Sequence, residues 1–252
     1  MERIMALLTS GSTDIGQKRK TNQDSICLFD SGNFYAVADG MGGHNGGDIA
    51  SQMSVKLLPE FIKANADKMS SKDLLEKSVQ YVNLSIYEHG QKNEDLKGMG
   101  TTLTAIMFKD NEVNIANVGD SRTYMITSNK LFQMSKDHSL VQEKLNIGIY
   151  DREGAKKDPQ KNVLVRTVGF EPNVEVDVYS YKANKNDIFL LCSDGLHGKV
   201  SDEDITFIVN KYIPNAAEAT QDSLDQTVQE LITNANANGG NDNISVVMAI
   251  AK

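Results

Sequence analysis

The apolar positions of residues 24–39 fall into two short β-prone runs, DSICLFD and FYAVAD, separated by Ser31-Gly32-Asn33. Runs of that length around a turn-forming triplet predict two paired strands. The period then changes. In DIASQMSVKLLPEFIKAN, Ile49, Met53 and Leu57 share a stripe, with Ala50 and Leu58 beside it, which predicts a helix. Pro59 is expected to kink or split it, because proline lacks the N–H that a helix interior uses. A second helix is expected over residues 72–92, with Leu75, Val79, Val82 and Ile86 on one face and Ser71 as its N-cap.

Beyond it, TTLTAIMF, EVNIANVG, SRTYMIT and KLFQMS read as a meander of short strands separated by KDN and SN turns. SLVQEKLN is a short helical stretch. Residues 146–170 carry Gly148, Gly154, Pro159, Gly169 and many charges, the mark of an irregular surface excursion. Strands resume at VEVDVYSY and DIFLLCSD. Ser201 and Asp204 fit a capping box before ITFIVNKY, a last helix is expected over residues 216–237, and NISVVMAIA is the closing strand. Hairpin-linked strands imply antiparallel sheets, and amphipathic helices in pairs must cover them. The expected fold is therefore α+β, a four-layer α-β-β-α sandwich in a single domain over residues 1–252.

Composition narrows the class. Of 252 residues, 40% are hydrophobic and 24% charged, as in a globular protein, and the formal net charge of −8 argues against a nucleic-acid partner. Cys27 and Cys192 lie in apolar strands without metal-site spacing, so they read as buried thiols in a reducing compartment. The N-terminal IMALL is too short for a secretion signal, and no run approaches the roughly 20 apolar residues of a membrane span. A cytoplasmic protein without a membrane partner, an anchor or an appended sensor domain is expected.

Three apolar runs end or begin at an aspartate: Asp39 in YAVADGMGGHNGG, Asp194 in IFLLCSDGLHG and Asp242 in GGNDNISVV. Asp-Gly is also an ordinary turn dipeptide. Strand ends meet at the rim of a sandwich, however, and carboxylates held there suit a hard cation. Oxygen donors without a His/Cys cluster favour Mg²⁺ or Mn²⁺ over Zn²⁺. The glycine-rich loop lacks the Lys-Ser/Thr of a P-loop, and its spacing is not GxGxxG.

The segments GQKRKTNQDS, VADGMGGHNGGDIAS, GMGTTLTA, ANVGDSRTYM, KDHSLV, NVLVRTVG, LLCSDGLHGKVSDEDI and GGNDNISVV follow one another along nearly the whole chain. In this order they resemble the metal-dependent type 2C serine/threonine protein phosphatases, in particular bacterial members consisting of the catalytic domain. The resemblance implies a β-sandwich flanked by helix pairs. It implies hydrolysis of phosphoserine and phosphothreonine in proteins by a water or hydroxide bridging two metals, reversing a serine/threonine kinase. Asp39 is then the bridging ligand, Gly40 a carbonyl ligand, and Asp194 and Asp242 complete the pair. Asp120 of GDSR matches a third-metal position, its alternative role being a turn acid. Arg19 matches a phosphate-binding arginine, and residues 146–170 match a variable flap. Two to three Mg²⁺ or Mn²⁺ ions, phosphoprotein substrates and a monomer are expected.

The chemistry accords with that choice. Phosphomonoester hydrolysis is among the slowest uncatalysed reactions, and paired cations activate water and neutralise phosphoryl oxygens. A guanidinium forks onto two phosphate oxygens, which an ammonium cannot match. Two departures stand out. Gln23 precedes Asp24 where the family has glutamate, and Met41 follows Gly40 where some relatives have histidine. His44 is a candidate acid for the leaving group, the alternative being a loop-packing histidine. Asp24 reads as a carboxylate behind the metal ligands or as an ordinary strand-start residue. His138 reads as a structural hydrogen bonder at the site rim, His197 as a packing residue near the cleft, and His89 as exposed. Asn243 is expected to fix a turn or a ligand. A degenerate phosphoprotein-binding module without turnover is the alternative function, and a nuclease a weaker one given the charge.

Overall fold

The computed structural model describes residues 6–41, 46–109, 111–151, 154–155 and 158–252. The loop residue His44 lies outside them. The strands are β1 (Leu7–Asp14), β2 (Asp24–Phe29), β3 (Phe34–Met41), β4 (Gly100–Thr101), β5 (Leu103–Lys109), β6 (Glu112–Val118), β7 (Arg122–Thr127), β8 (Lys130–Gln133), β9 (Asp177–Lys182), β10 (Ile188–Cys192) and β11 (Ile244–Ala251). The helices are α1 (Gly47–Asn65), α2 (Ser71–Lys92), α3 (Leu140–Asn146), α4 (Asp194–His197), α5 (Asp202–Tyr212) and α6 (Gln221–Ala237).

One sheet has the order β1-β11-β10-β7-β8, the other β2-β3-β5-β6-β9 with β4 attached to β3. The pairings are antiparallel throughout. Side chains alternate across each strand, so each sheet feeds two cores. On β3, Phe34, Ala36 and Ala38 pack with Leu58, Leu75, Val79 and Ile86 of α1 and α2. Tyr35 and Val37 point the other way, onto Ile106, Phe108, Phe189, Leu191 and Val247 between the sheets. The Phe108 ring meets Phe189 edge-on at 5.2 Å between centroids. Leu190, Cys192, Val246 and Met248 turn outward to Leu224, Val228 and Leu231 of α6. The four layers expected from the sequence are therefore present.

Some elements differ from the sequence reading. Strand β1 has no counterpart in it. LLTSGSTD is rich in Ser, Thr and Gly because it forms a sheet edge beside β11 and leaves most of its residues part-exposed. Helix α1 runs unbroken through Pro59, as the full burial of neighbouring Leu58 against the sheet holds it in place. The cap of α2 is Ser70, one residue earlier than expected, accepting from the Asp73 N–H. The expected helix over 216–237 divides into a 3₁₀ turn at Ala216–Glu218 and α6, because Thr220 and Ser223 form a reciprocal capping box.

Candidate active site

The acid-bearing strand ends gather at one rim of the sandwich. Asp24 opens β2 and lies directly opposite Asp39 at the end of β3. Asp194 begins α4 just after β10, Asp242 stands two residues before β11, and Asp120 sits in the turn between β6 and β7. Like charges facing each other across strands are destabilising, so this arrangement is not one that folding alone selects.

The backbone is fastened tightly around the acids. Thr102 donates its N–H to the Asp39 carbonyl at 2.8 Å, and the Thr101 hydroxyl donates to the same oxygen at 2.9 Å. The Asp39 N–H donates to Thr102 Oγ1 at 3.1 Å, and that hydroxyl pairs with Ser121 Oγ at 2.7 Å. Asp39 and the Asp120 turn are thereby joined through two side chains. Asn243 accepts from the Gln23 N–H at 2.8 Å and donates to the Ile15 and Thr21 carbonyls at 3.0 Å each, shaping the loop that carries Arg19. The glycines after the acids answer to close backbone packing. A Cβ on Gly195 would lie 1.9 Å from the Asn243 carbonyl oxygen, and one on Gly40 would lie 2.0 Å from that of Gly47.

Electrostatics single out the same residues. Burial, followed by the charges of Asp24, Asp194, Asp120 and Asp242, pushes the Asp39 carboxyl well above the usual range. Burial likewise raises Asp24 to about 7, with the Asp194 and Asp242 charges adding to the effect. Asp120 rises to about 7 through burial and the Asp194 and Asp137 charges. Asp194 rises to about 6 through burial and Asp242, opposed by Arg19 and Lys161. Asp24 takes a 2.8 Å hydrogen bond from Ser193 on one oxygen, while its buried Oδ1 has no hydrogen-bond partner among the described residues. Arg19 Nη2 donates to Asp242 Oδ2 at 2.7 Å, with both side chains partly exposed.

These groups fit a hard cation. The donors are oxygens, they repel one another when ionised, and one buried carboxylate oxygen lacks a partner. Among the described residues no three His, Cys, Asp or Glu side chains are gathered closely enough to hold a metal ion by themselves. An all-oxygen donor set suits Mg²⁺ or Mn²⁺, which keep several waters and take few protein carboxylates, rather than a four-ligand zinc site.

The remaining histidines separate by contact. His197 Nε2 donates to the Asp120 carbonyl at 3.0 Å, and burial lowers its pKa to about 3, so it is a neutral brace for the turn. His138 is buried, accepts from the Gly119 N–H and reaches Asp177. His89 is exposed. The side chain of Gln23 lies against Gly47 at the start of α1, its amide nitrogen 2.9 Å from where a Cβ on Gly47 would stand.

The family described as protein phosphatase 2C matches residues 16–238. The chain belongs to that family. The serine/threonine phosphatase stp of Listeria welshimeri is 40% identical over 242 residues, covering 94% of this chain and 92% of that one. The crystal structure of the Mycobacterium tuberculosis serine/threonine phosphatase PstP/Ppp superimposes with a TM-score of 0.88 at 33% identity, covering 99% of this chain and 100% of that one. A second structure, the catalytic domain of PstP in complex with two manganese ions, gives 0.84 at 32% identity over 98% of each chain. The family is metal-dependent.

In this protein phosphatase, sequence reasoning missed Thr101, Thr102 and Ser193, the hydroxyls that bind the acids or their backbone, and Ser121, which pairs with Thr102. Their signal was their position beside GMG, GDSR and SDG, which spacing alone does not turn into contacts. A cleft of about 640 Å³ opens beside Met41 and is lined by Gly100, Leu164, Arg166, Phe170 and Val174 among others. Among the described residues no helix is long and apolar enough to cross a membrane.

Proposed function

We propose that this protein phosphatase hydrolyses phosphoserine and phosphothreonine in proteins at the acidic rim, with Asp39, Gly40, Asp194 and Asp242 holding two Mg²⁺ or Mn²⁺ ions. In the same reading Asp120 serves a third ion, Asp24 supports the ligands from behind, and Arg19 receives the phosphate. The observation that carries this reading is the crowding of Asp24, Asp39, Asp120 and Asp194 at one rim, Asp24 buried and the others part-buried, all pushed upward by desolvation and by neighbouring acids. A cation would offset the mutual repulsion of such a cluster.

When bound, the ions supply Lewis acidity that activates water near neutral pH and polarises the phosphoryl oxygens. The chain's own residues do the rest. Thr101 and Thr102 fix the backbone of Asp39, which limits the reorganisation needed on binding. Asp24 adds negative charge behind Asp39 from a site reached by Ser193. Arg19 spends one N–H on Asp242 and, being half exposed, keeps other donors free for a phosphate. Overall, an oxygen of water bonds to phosphorus, the bond to the seryl or threonyl Oγ breaks, and a proton passes to that Oγ. The enzyme acts against a serine/threonine kinase, and the buried free thiols of Cys27 and Cys192 accord with a reducing cytoplasm.

Metal-titrated hydrolysis of matched phosphothreonine and phosphotyrosine peptides tests the reading. After dialysis against EDTA, turnover is expected to vanish and to return with Mn²⁺ or Mg²⁺, with phosphothreonine preferred. Full activity in EDTA, or a preference for phosphotyrosine, overturns it.

A further inference from the structure

Residues 163–168, late in the 146–170 segment, run between the strand end that carries Asp39 and the turn that carries Asp120. Val168 exchanges backbone hydrogen bonds with Thr101 at 3.0 and 2.9 Å, and Thr101 holds the Asp39 carbonyl. The Val165 N–H donates to the His138 carbonyl at 3.0 Å. His138 then faces Gly119 with both its backbone and its ring. Its N–H donates to the Gly119 carbonyl at 2.9 Å, and its Nδ1 accepts from the Gly119 N–H at 3.2 Å.

An accepting Nδ1 leaves the ring proton on Nε2, which lies 3.2 Å from Asp177 Oδ2. Asp177 also accepts from Arg166 Nη1 at 2.8 Å and from the Tyr179 hydroxyl at 2.7 Å. Arg166 lines the cleft beside Met41. Gly119 has φ of +101°, and a Cβ there would strike Thr102, so the turn it begins has little room to shift. A continuous chain of polar contacts thus runs from the cleft wall to the residue preceding Asp120.

We propose that His138 is a positioning residue that sets the Gly119–Asp120 turn and ties it, through Asp177 and Arg166, to the 163–168 arm. The proposal rests on the reading of Asp120 as a metal ligand. Packing alone asks only for a shape that fills the site. A ring that accepts on one nitrogen and donates on the other fixes the direction of the turn as well. Groups that orient a ligand from behind are worth about 10–100-fold in metal affinity or activity.

The test combines Mn²⁺ calorimetry, thermal melting and phosphothreonine-peptide kinetics on His138→Gln, His138→Asn, Asp177→Ala, Arg166→Gln and Asp120→Asn. The Asn carbonyl stands where Nδ1 does and keeps the Gly119 bond. The Gln amide reaches toward Asp177 and leaves the Gly119 N–H unpaired. His138→Gln is expected to lower kcat and weaken the last-loading Mn²⁺ about 10–100-fold each, with little change in KM. His138→Asn should recover most of that loss, and Asp177→Ala and Arg166→Gln should show smaller losses in the same two quantities. If Asp120→Asn is impaired while His138→Gln keeps wild-type kcat and Mn²⁺ affinity, the proposal fails and the Asp120 reading stands. If Asp120→Asn is itself unimpaired, both fall. Lower melting with unchanged Mn²⁺ affinity assigns His138 to packing alone and also overturns the proposal. Should His138→Gln not fold, wild-type kcat in both Asp177→Ala and Arg166→Gln removes the link to the arm.

Discussion

Arg19 and Asp242 stand 223 residues apart in the chain, and their side chains meet at 2.7 Å. The pair joins the loop after β1 to the turn before β11 at the edge of the acidic rim. Both partners are substantially exposed, at 51% and 36% of their side-chain surface, so the pair adds little to stability. In the proposed reading its value lies in aiming the guanidinium at a phosphate.

Arg19→Ala is therefore expected to separate binding from folding. Loss of a charge-assisted hydrogen bond to phosphate costs about 1.5–3 kcal/mol, or roughly 10–150-fold in kcat/KM. The melting temperature should hardly move. Peptide kinetics beside calorimetric melting check this, and an unchanged KM together with unchanged inhibition by inorganic phosphate removes Arg19 from the site.

Asp39→Asn should stabilise the metal-free protein while destroying its function. The carboxylate is part-buried and set against Asp24, so neutralising it relieves a penalty. Each kcal/mol recovered raises the melting temperature by about 2–4 °C in a domain of this size. The rise on adding Mn²⁺, clear in the wild type, should shrink or vanish along with turnover. A metal-free variant that melts lower than the wild type contradicts the repulsion argument.

Metal-free stability should fall as pH rises. Asp24, Asp120 and Asp194 ionise near 4 when unfolded but near 7, 7 and 6 when folded. The folded state then binds more protons across about pH 4–7, so stability is fullest below that window and is lost as pH climbs through it. Cations reverse the trend, because they bind the ionised form. Melting curves in EDTA and in Mn²⁺ from pH 5 to 8 should diverge upward in pH, and parallel curves refute the assignment.

His197 has the opposite sign. Its pKa is about 3 in the folded protein against 6.5 for a free imidazole, so the unfolded chain binds the extra proton between those values. Its contribution is present above about pH 6.5 and is lost toward pH 3, at up to about 1.4 kcal/mol per pH unit. His197→Gln retains a donor for the Asp120 carbonyl without the titration. The wild-type-minus-variant difference in denaturant stability should grow more unfavourable to the wild type as pH drops. A pH-independent difference shows that the ring is not buried neutral.

Asp39, Asp194 and Asp242 were legible in the sequence because each borders an apolar run, and a run of one period fixes which end of a strand it marks. The sandwich was legible for the same reason. Strand β1 was not, since an edge strand exposed on one side needs no apolar alternation, and Ser, Thr and Gly fill it. The unbroken α1 was hidden because burial of Leu58 outweighs the bond that Pro59 omits. His138 was recognisable as a hydrogen bonder from its neighbours. Its partners Gly119 and Asp177 were not, because contacts between segments that the fold brings together leave no spacing to read.

Strand β11 lies in the middle of its sheet, between β1 and β10, with every residue buried. Asn243, just before it, organises the loop that presents Arg19. The acids at Asp24 and Asp39 are made early, yet Asp242 and β11 lie far downstream of them in the sequence. Long-range pairings of this kind form late. Until β11 has been made, the growing chain is therefore an incomplete sandwich with a bare sheet edge and no assembled rim. The rim is thus incomplete until β11 has been made, and the interval vulnerable to misassembly ends when β11 slots home.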